Sequence, residues 1–199
     1  MGREIHAKEG YSDKDVEIFK AKLRAETDLL KKWFDEKSFI RDMNMTGLEL
    51  EAWLVDENML PDPFSSEFLS KLNNEQVVPE IAKFNFEINS NPYKLEGKVF
   101  SKLEQEFKQI WGSCEKVASA KDKHAMLIGT LPTLRPNMLS LDFLSPQNRY
   151  AIMNAQVMKM RDGKPLYIRL EGKDNLYMYM DSVIAECAAT SLQIHLGVN

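Results

Sequence analysis

The stretch 46-TGLELEAWLVD-56 decides how this chain is interpreted, because its apolar and polar residues alternate with a period of two. That period is typical of a β-strand, whose successive side chains point to opposite faces. The two faces would carry Leu48, Leu50, Ala52 and Leu54 on one side and Gly47, Glu49, Glu51, Trp53 and Val55 on the other. The sequence therefore predicts a strand with two carboxylates on one face.

Glu49 and Glu51 are the first candidate site residues. Alternate residues on one face of a strand lie roughly 6 to 7 Å apart, so two ionised carboxylates there repel each other unless a cation lies between or beside them. Magnesium prefers oxygen ligands and is commonly held by one or two carboxylates together with substrate phosphates. The pair is interpreted either as part of a metal site or as the solvated polar face of a half-exposed strand, since exposed Glu is common.

The rest of the chain mixes helical and alternating patterns. Helices are predicted over residues 12–37, 65–72 and 97–121, with another starting at Ser145-Pro146, and strands over residues 83–90, 124–131, 165–171 and 190–198. Residues 181–189 are ambiguous. Without regular strand–helix repeats, this mixture favours an α+β fold with flanking helices on a half-exposed antiparallel sheet. Residues 1–45 are expected to form an N-terminal helical segment that packs on this core.

Composition narrows the class of protein. The 199 residues suffice for one domain or a little more, and the formal charge of -4 gives no general attraction toward nucleic acid or anionic lipid. No apolar run reaches the roughly 20 residues of a membrane helix, and residues 1–10 are too polar for a signal peptide. Two widely separated cysteines match neither a disulfide framework nor a paired-cysteine zinc site. A cytoplasmic protein that binds neither nucleic acid nor membranes is expected.

Two further predicted strands carry polar candidates. Glu87 lies in 84-FNFEINSNP-92, where Phe84, Phe86 and Ile88 are expected on the opposite face, and Gln193 and His195 share one face of residues 190–198. A histidine there could ligate a metal or donate to a phosphate, although a lone His is more often structural and Glu87 alone could be one more exposed acid. Together the three strands predict a concave sheet lined with hard ligands, which suits metal-assisted phosphoryl transfer.

The sequence gives little support for nucleophilic catalysis. Cys114 and Cys187 have no neighbouring His in the sequence, and no nucleophile-elbow pattern occurs. The glycine-rich phosphate loops of common nucleotide binders are also missing from the sequence. If ATP binds, side chains and metal ions must hold its phosphates.

Five short motifs follow one another along the chain: Gly47-Leu48-Glu49-Leu50-Glu51, Phe86-Glu87-Ile88-Asn89, Gly129-Thr130-Leu131-Pro132, Arg149-Tyr150 and residues 190–198. In this order they resemble the glutamate-cysteine ligase family and its carboxylate-amine ligase relatives. The resemblance spans about residues 46–198, so residues 46–199 would be the N-terminal part of a ligase catalytic domain. It implies a glutamine-synthetase-like catalytic fold, in which an antiparallel sheet forms a funnel for ATP and magnesium.

Site roles follow from the same resemblance. Glu49, Glu51 and Glu87 would be magnesium ligands, and His195 would lie near the metal or phosphate. Gln193 stands where many relatives have His, which makes it a poorer metal ligand. The substrates would be glutamate or a similar carboxylate and cysteine or another amine, joined through an acyl phosphate.

Either of two arginines could offset charge on the phosphoryl group or on the substrate carboxylate. They are Arg149 and Arg169, the latter on the predicted strand 165–171. A surface or structural ion pair is the alternative interpretation of each.

The end of the sequence leaves a second functional interpretation open. Residues 190–198 alternate like a core strand and the chain stops at Asn199, which predicts a fragment with an incomplete fold. Such a chain would expose apolar surface and could form a homo-oligomer. The alternative to a working ligase is a truncated or non-catalytic scaffold of the same fold that binds metal or nucleotide.

Overall fold

The computed structural model describes residues 11–39 and 44–197 of the chain. Its helices are α1 (Asp13–Asp35), α2 (Ser65–Leu72), α3 (Val99–Ser119) and α4 (Asn148–Met160), with short 3₁₀ helices at Pro136–Met138, Leu141–Phe143 and Val183–Ala188. Its strands are β1 (Met45–Val55), β2 (Val77–Pro79), β3 (Asn85–Asn89), β4 (Tyr93–Lys94), β5 (His124–Met126), β6 (Leu166–Glu171), β7 (Asn175–Met180) and β8 (Leu192–Leu196). The predicted α+β class with an antiparallel sheet is confirmed.

Strand β1 is the centre of the larger sheet. Residues 49–53 of β1 pair with β3, and residues 46–50 pair with β8, so the middle of β1 has a neighbour on both sides. Strands β4 and β5 pair with the two ends of β1, and β2 continues the sheet beyond β3. Every one of these pairings is antiparallel, and β6 and β7 form a separate two-stranded sheet.

One face of β1 packs against α2 and α3. Ala52 and Leu54 join Phe86 and Ile88 of β3 in a buried cluster with Phe68 of α2. Helix α3 contributes three of its buried residues, Ile110, Cys114 and Ala118, to this cluster. The apolar face predicted for β1 therefore packs into the core, as expected.

The opposite face of β1 is also covered at one end, which corrects the prediction of a half-exposed sheet. Trp53 and Val55 are buried in a second cluster with Leu131, Ile184 and Met180. The Trp53 indole N–H donates to the carbonyl oxygen of Ile128 at 2.9 Å, so this buried polar group is satisfied. The second cluster does not cover Glu49 and Glu51, which line a cavity.

Phe84 does not lie where the alternation placed it. It precedes β3, and its ring stacks on that of Trp53 at a centroid distance of 5.6 Å, on the face opposite Phe86 and Ile88. The turn at residues 83–84 breaks the period of two, because a turn reorients the chain before the strand begins. Phe84 thus supports the second core rather than the first.

Helix α1 forms as predicted and begins with a capping box. The Ser12 side chain accepts from the Asp15 backbone N–H, and the Asp15 carboxylate accepts from the Ser12 backbone N–H. However, α1 buries none of its residues, and its large apolar side chains Phe19, Leu30 and Phe34 are exposed. The structure therefore does not show the expected packing on the core, and residues 1–10 and 40–43 of that segment lie outside the described part.

Several predicted boundaries shift. The helix expected from Ser145-Pro146 starts at Asn148, the strand expected over 124–131 ends at Met126, and the ambiguous stretch 181–189 contains a 3₁₀ helix. Strand β7 was not predicted, because Leu176-Tyr177-Met178-Tyr179-Met180 has no polar contrast between its faces. Strand β8 confirms the strand predicted over 190–198 up to Leu196, and Val198 lies outside the described residues.

A phenylalanine pair tests this packing. Phe86 is 0% exposed between the sheet and the helices, whereas Phe19 on α1 is 61% exposed. We expect Phe86→Ala to lower the free energy of unfolding by about 3 to 5 kcal/mol through lost burial and a cavity, and Phe19→Ala to change it by less than about 0.5 kcal/mol. Urea denaturation followed by circular dichroism measures both, and equal losses would show that α1 packs as firmly as the core.

Candidate functional site

Strand register brings the candidate acids together. In the antiparallel pairing Glu51 stands directly opposite Glu87, and Glu49 stands between Asn89 and Gln193. Directly opposite residues point to the same face, with Cβ atoms about 4.5 to 5.5 Å apart. Strands β1, β3 and β8 therefore place these side chains on one face of the sheet. The cluster around Trp53 covers the neighbouring end of the same face.

This face forms the floor of a cavity of about 360 Å³, referred to below as the acidic cavity. Its lining includes the predicted residues Glu49, Glu51, Glu87, Arg149 and Gln193. The remaining walls are formed by Val78, Pro79, Glu80, Ile81, Tyr150, Met153 and Glu186. Residues from four separate parts of the sequence thus converge on one concave surface.

Two of the lining acids were not found from the sequence. Glu80 directly follows β2, a three-residue strand that is too short to show a period, and Glu186 lies in the last 3₁₀ helix. A glutamate at such a position does not by itself indicate a site, because isolated acids are common on protein surfaces. Only the folded chain shows that they add to the charge around Glu51 and Glu87.

Protein donors hold the carboxylates in place. Glu51 accepts from the backbone N–H of Ser191 at 2.9 Å and from the side-chain amide of Gln193 at 3.0 Å. Glu87 is 8% exposed and accepts from the side-chain amide of Asn89 at 2.7 Å. These bonds orient the carboxylate oxygens, but they supply no positive charge to offset the repulsion between neighbouring acids.

Burial and repulsion act most strongly on Glu80. Its pKa is raised to about 7, chiefly by burial and also by the charges of Glu87 and Glu51, while a hydrogen bond from the Ile81 backbone N–H opposes the shift. Near neutral pH Glu80 is therefore only partly ionised. Protonation of one acid is how a crowded carboxylate cluster lowers its repulsion when no cation is bound.

Arg149 brings a positive charge to the wall of the acidic cavity. Its guanidinium donates to the Pro79 carbonyl oxygen at 3.2 Å and to the Tyr150 hydroxyl at 2.6 Å, and it lies 4.5 Å from the centre of the Tyr150 ring. The Tyr150 hydroxyl itself donates to the Pro79 carbonyl oxygen at 3.0 Å. These contacts fix the guanidinium on the cavity wall next to Pro79 and Tyr150.

The two other predicted residues lie elsewhere. Arg169 is exposed on the β6–β7 hairpin, where it pairs with Glu171 at 2.5 Å, and it does not line the acidic cavity. His195 is 56% exposed at its side chain, contacts Glu49 through Nε2 at 3.2 Å and lines a separate depression beside Gly47 and Ser90. The structure therefore brings His195 to the edge of the site and does not bring Arg169 to it.

A magnesium ion requires several oxygen ligands in a nearly octahedral arrangement. Within residues 11–39 and 44–197, no group of three or more His, Cys, Asp or Glu side chains is arranged to hold a metal ion. The predicted triad of Glu49, Glu51 and Glu87 thus shares a face but does not form a three-ligand cage. Glu51 and Glu87 do fit the other common arrangement, in which two carboxylates bind magnesium together with water and phosphate oxygens.

Comparisons with known proteins add no assignment. No family model matches the chain, and no curated protein or solved structure matches it significantly. The resemblance to carboxylate-amine ligases therefore stays a prediction from the motifs. Separately, none of the helices within the described ranges is long and apolar enough to span a bilayer.

The raised pKa of Glu80 predicts a pH-dependent stability. The folded-state pKa of about 7 exceeds the ordinary glutamate value of 4.5. The stabilisation from protonated Glu80 is therefore full below pH 4.5 and is lost as the pH rises through about 7. In magnesium-free buffer we expect Glu80→Gln to raise the free energy of unfolding at about pH 8.5 by on the order of 3 kcal/mol, with little effect at about pH 4. Urea denaturation at the two pH values measures this difference.

The matched control is Glu171→Gln, which alters an exposed acid on the hairpin. It should leave the pH dependence of the wild type unchanged. The interpretation of Glu80 fails if Glu80→Gln gives the same change in unfolding free energy at both pH values.

Proposed function

We propose that the chain carries the metal- and nucleotide-binding face of an ATP-dependent carboxylate-amine ligase of the glutamate-cysteine ligase type. The observation that carries this proposal is the register in which Glu51 faces Glu87 and Glu49 faces Gln193 at the floor of the acidic cavity. The order of the five sequence motifs supplies the reaction class. The proposal includes a glutamine-synthetase-like catalytic fold.

The acids are suited to a nucleotide-bound metal. Glu51 and Glu87 would hold a magnesium ion whose other ligands are water and phosphate oxygens, and Glu49 would extend the negative surface toward a further ion. When bound, magnesium neutralises charge on the phosphates of ATP and aligns them for transfer to a carboxylate. The absence of a glycine-rich phosphate loop from the sequence fits this arrangement, since ions and side chains would then hold the phosphates.

Arg149 is suited to the anionic substrate. Its guanidinium lines the same cavity as the carboxylates and is held by Pro79 and Tyr150. A planar guanidinium binds carboxylate or phosphate oxygens with directed N–H donors. Arg149 would therefore orient the substrate carboxylate or stabilise the charge that develops on the transferred phosphoryl group.

The reaction of such a ligase sets what the remaining residues must do. A carboxylate oxygen takes the terminal phosphoryl group of ATP, and an amine then displaces phosphate from the acyl phosphate to form an amide. Both steps require that water be kept from the acyl phosphate, because hydrolysis would waste it. The apolar residues Ile81 and Met153 line the cavity beside the acids and would contribute to keeping water from the acyl phosphate.

The test is phosphate release from ATP with magnesium, glutamate and a panel of amines. We expect amine-dependent release by the wild type, and we expect Glu87→Gln and Arg149→Gln to lower it by on the order of 10²-fold, because each removes charge stabilisation from the transferred group. Each variant should keep the circular dichroism spectrum of the wild type, so that loss of release reports on the site.

The matched controls are Glu171→Gln and Arg169→Gln, which make the same chemical changes on the exposed hairpin. Both should release phosphate as the wild type does. A folded wild type that releases no phosphate with any amine contradicts the ligase proposal. If that protein still binds a nonhydrolysable ATP analogue with magnesium, the non-catalytic scaffold becomes the better description.

A further inference from the structure

Helix α1 presents an apolar stripe that no part of the described chain buries. Val16, Leu23 and Leu30 recur every seven residues, and Phe19 and Trp33 lie on the same side of the helix, three residues after Val16 and Leu30. This spacing is that of a coiled-coil seam, along which two helices pack side by side. The single chain therefore leaves a helix-packing surface without a helix packed on it.

The carboxyl end of α1 widens the stripe into an aromatic patch. Phe39 folds back onto the helix, with its ring centre 4.7 Å from that of Phe34 and 6.4 Å from that of Trp33. None of the three rings belongs to either buried core cluster. The whole surface is called the α1 face below and consists of Phe19, Leu23, Leu30, Trp33, Phe34 and Phe39.

The α1 face is large enough for a specific protein interface. Its six side chains are each between 41% and 66% exposed, which amounts to roughly 600 Å² of apolar surface per chain. This equals the upper end of the largest apolar patch on a typical monomer, roughly 300 to 600 Å². Two such faces packed together would bury roughly 1,200 Å², the lower limit of stable protein interfaces.

The charges of α1 favour a second protein chain over a lipid surface. The helix carries six acidic and six basic residues, so it has no net charge. Helices that lie on anionic membranes are rich in Lys and Arg on the polar face, and α1 lacks the attraction that this excess supplies. A second copy of the chain offers a face of the same size, length and chemistry, as a symmetric dimer requires.

Glu26 determines how two copies of α1 can be oriented. It occupies the seam between Phe19 and Trp33, seven residues from each. In a parallel pair it would face the same glutamate of the second copy, and the two carboxylates would repel each other. In an antiparallel pair centred on the middle of α1, Glu26 instead lies beside Leu23 and Lys22 of the second copy. Within residues 11–39 and 44–197 neither Glu26 nor Lys22 forms an ion pair, so both charges are available to this contact.

We propose that α1 packs antiparallel against α1 of a second copy and forms a symmetric dimer through the α1 face. The same arrangement sets Val16 against Trp33 of the second copy and Phe19 against Leu30, so apolar side chains fill both ends of the contact. Glu26 and its partner lysine lie near the two-fold axis. No residue of α1 lines the acidic cavity, so the dimer goes beyond the proposed ligase function and does not depend on it.

Sedimentation velocity of the full chain tests the association. Between about 1 and 200 µM we expect a monomer–dimer equilibrium, because an interface of this size binds weakly, in the micromolar range. Phe19→Glu places a charge in the seam and should weaken the dimer by at least about tenfold. Phe100→Glu makes the same change on α3, where Phe100 is 70% exposed, and should associate as the wild type does. Both variants should keep the wild-type circular dichroism spectrum, since both phenylalanines are exposed.

Distances between spin labels test the orientation. Lys14→Cys and Ala25→Cys each add a label at an exposed position of α1, whereas the native Cys114 and Cys187 are buried. An antiparallel pair separates the two labels at position 14 by about 30 Å along the helix axis and leaves those at position 25 nearly level. Double electron–electron resonance should therefore give a much longer distance at position 14 than at position 25. Equal distances at the two positions would show a parallel pair and contradict the proposal.

Three results of sedimentation would overturn the dimer. They are a folded wild type that stays monomeric throughout, a dimer that Phe19→Glu leaves unchanged, and equal weakening by Phe19→Glu and Phe100→Glu. If a monomeric wild type bound phosphatidylglycerol vesicles, the α1 face would be assigned to a lipid surface instead. Below its dissociation constant the chain is monomeric, so the stability comparison with Phe19→Ala applies to dilute protein.

Discussion

The antiparallel register of β1 between β3 and β8 is the constraint on which the site depends. It sets Glu51 against Glu87 and Glu49 against Gln193, and it turns all four side chains to one face. A shift of one residue in either pairing would turn the partner strand's polar side chains to the opposite face. The buried cluster of Ala52, Phe86 and Ile88 holds this register, because the same slip would expose it.

The acidic face carries an electrostatic cost that the fold only partly offsets. Hydrogen bonds from Ser191, Gln193 and Asn89 orient the carboxylates, yet burial and repulsion still raise the pKa of Glu80 to about 7. A fold selected for stability alone would gain by replacing such acids with neutral residues. Their concentration around one cavity, with Arg149 on its wall, therefore argues for a bound cation or cationic ligand.

Sequence periodicity predicted the parts of this arrangement that lie on regular strands. Glu49, Glu51 and Gln193 were placed on polar faces by the period of two, and the class of the fold followed from the mixture of patterns. Periodicity could not show which strands are neighbours, because pairing depends on long-range packing. The register that joins Glu51 to Glu87 is visible only in the structure.

Residues outside regular elements escaped prediction for physical reasons. Glu80 follows a three-residue strand and Glu186 lies in a 3₁₀ helix, so neither has a periodic context. Sequence alone could not rank Arg149 above Arg169, since both were single arginines with an ion-pair alternative. The alternation placed Phe84 on the wrong face, because the turn before β3 directs its ring into the second core.

The most direct test of the account is magnesium-dependent binding of a nonhydrolysable ATP analogue, measured by isothermal titration calorimetry. The wild type and Glu171→Gln should bind the analogue only when magnesium is present, and Glu51→Gln should lose this binding. Loss in Glu51→Gln alone would support a metal and nucleotide site on the face that β1 shares with β3 and β8. Absence of binding by a folded wild type, or unchanged binding by Glu51→Gln, would contradict it.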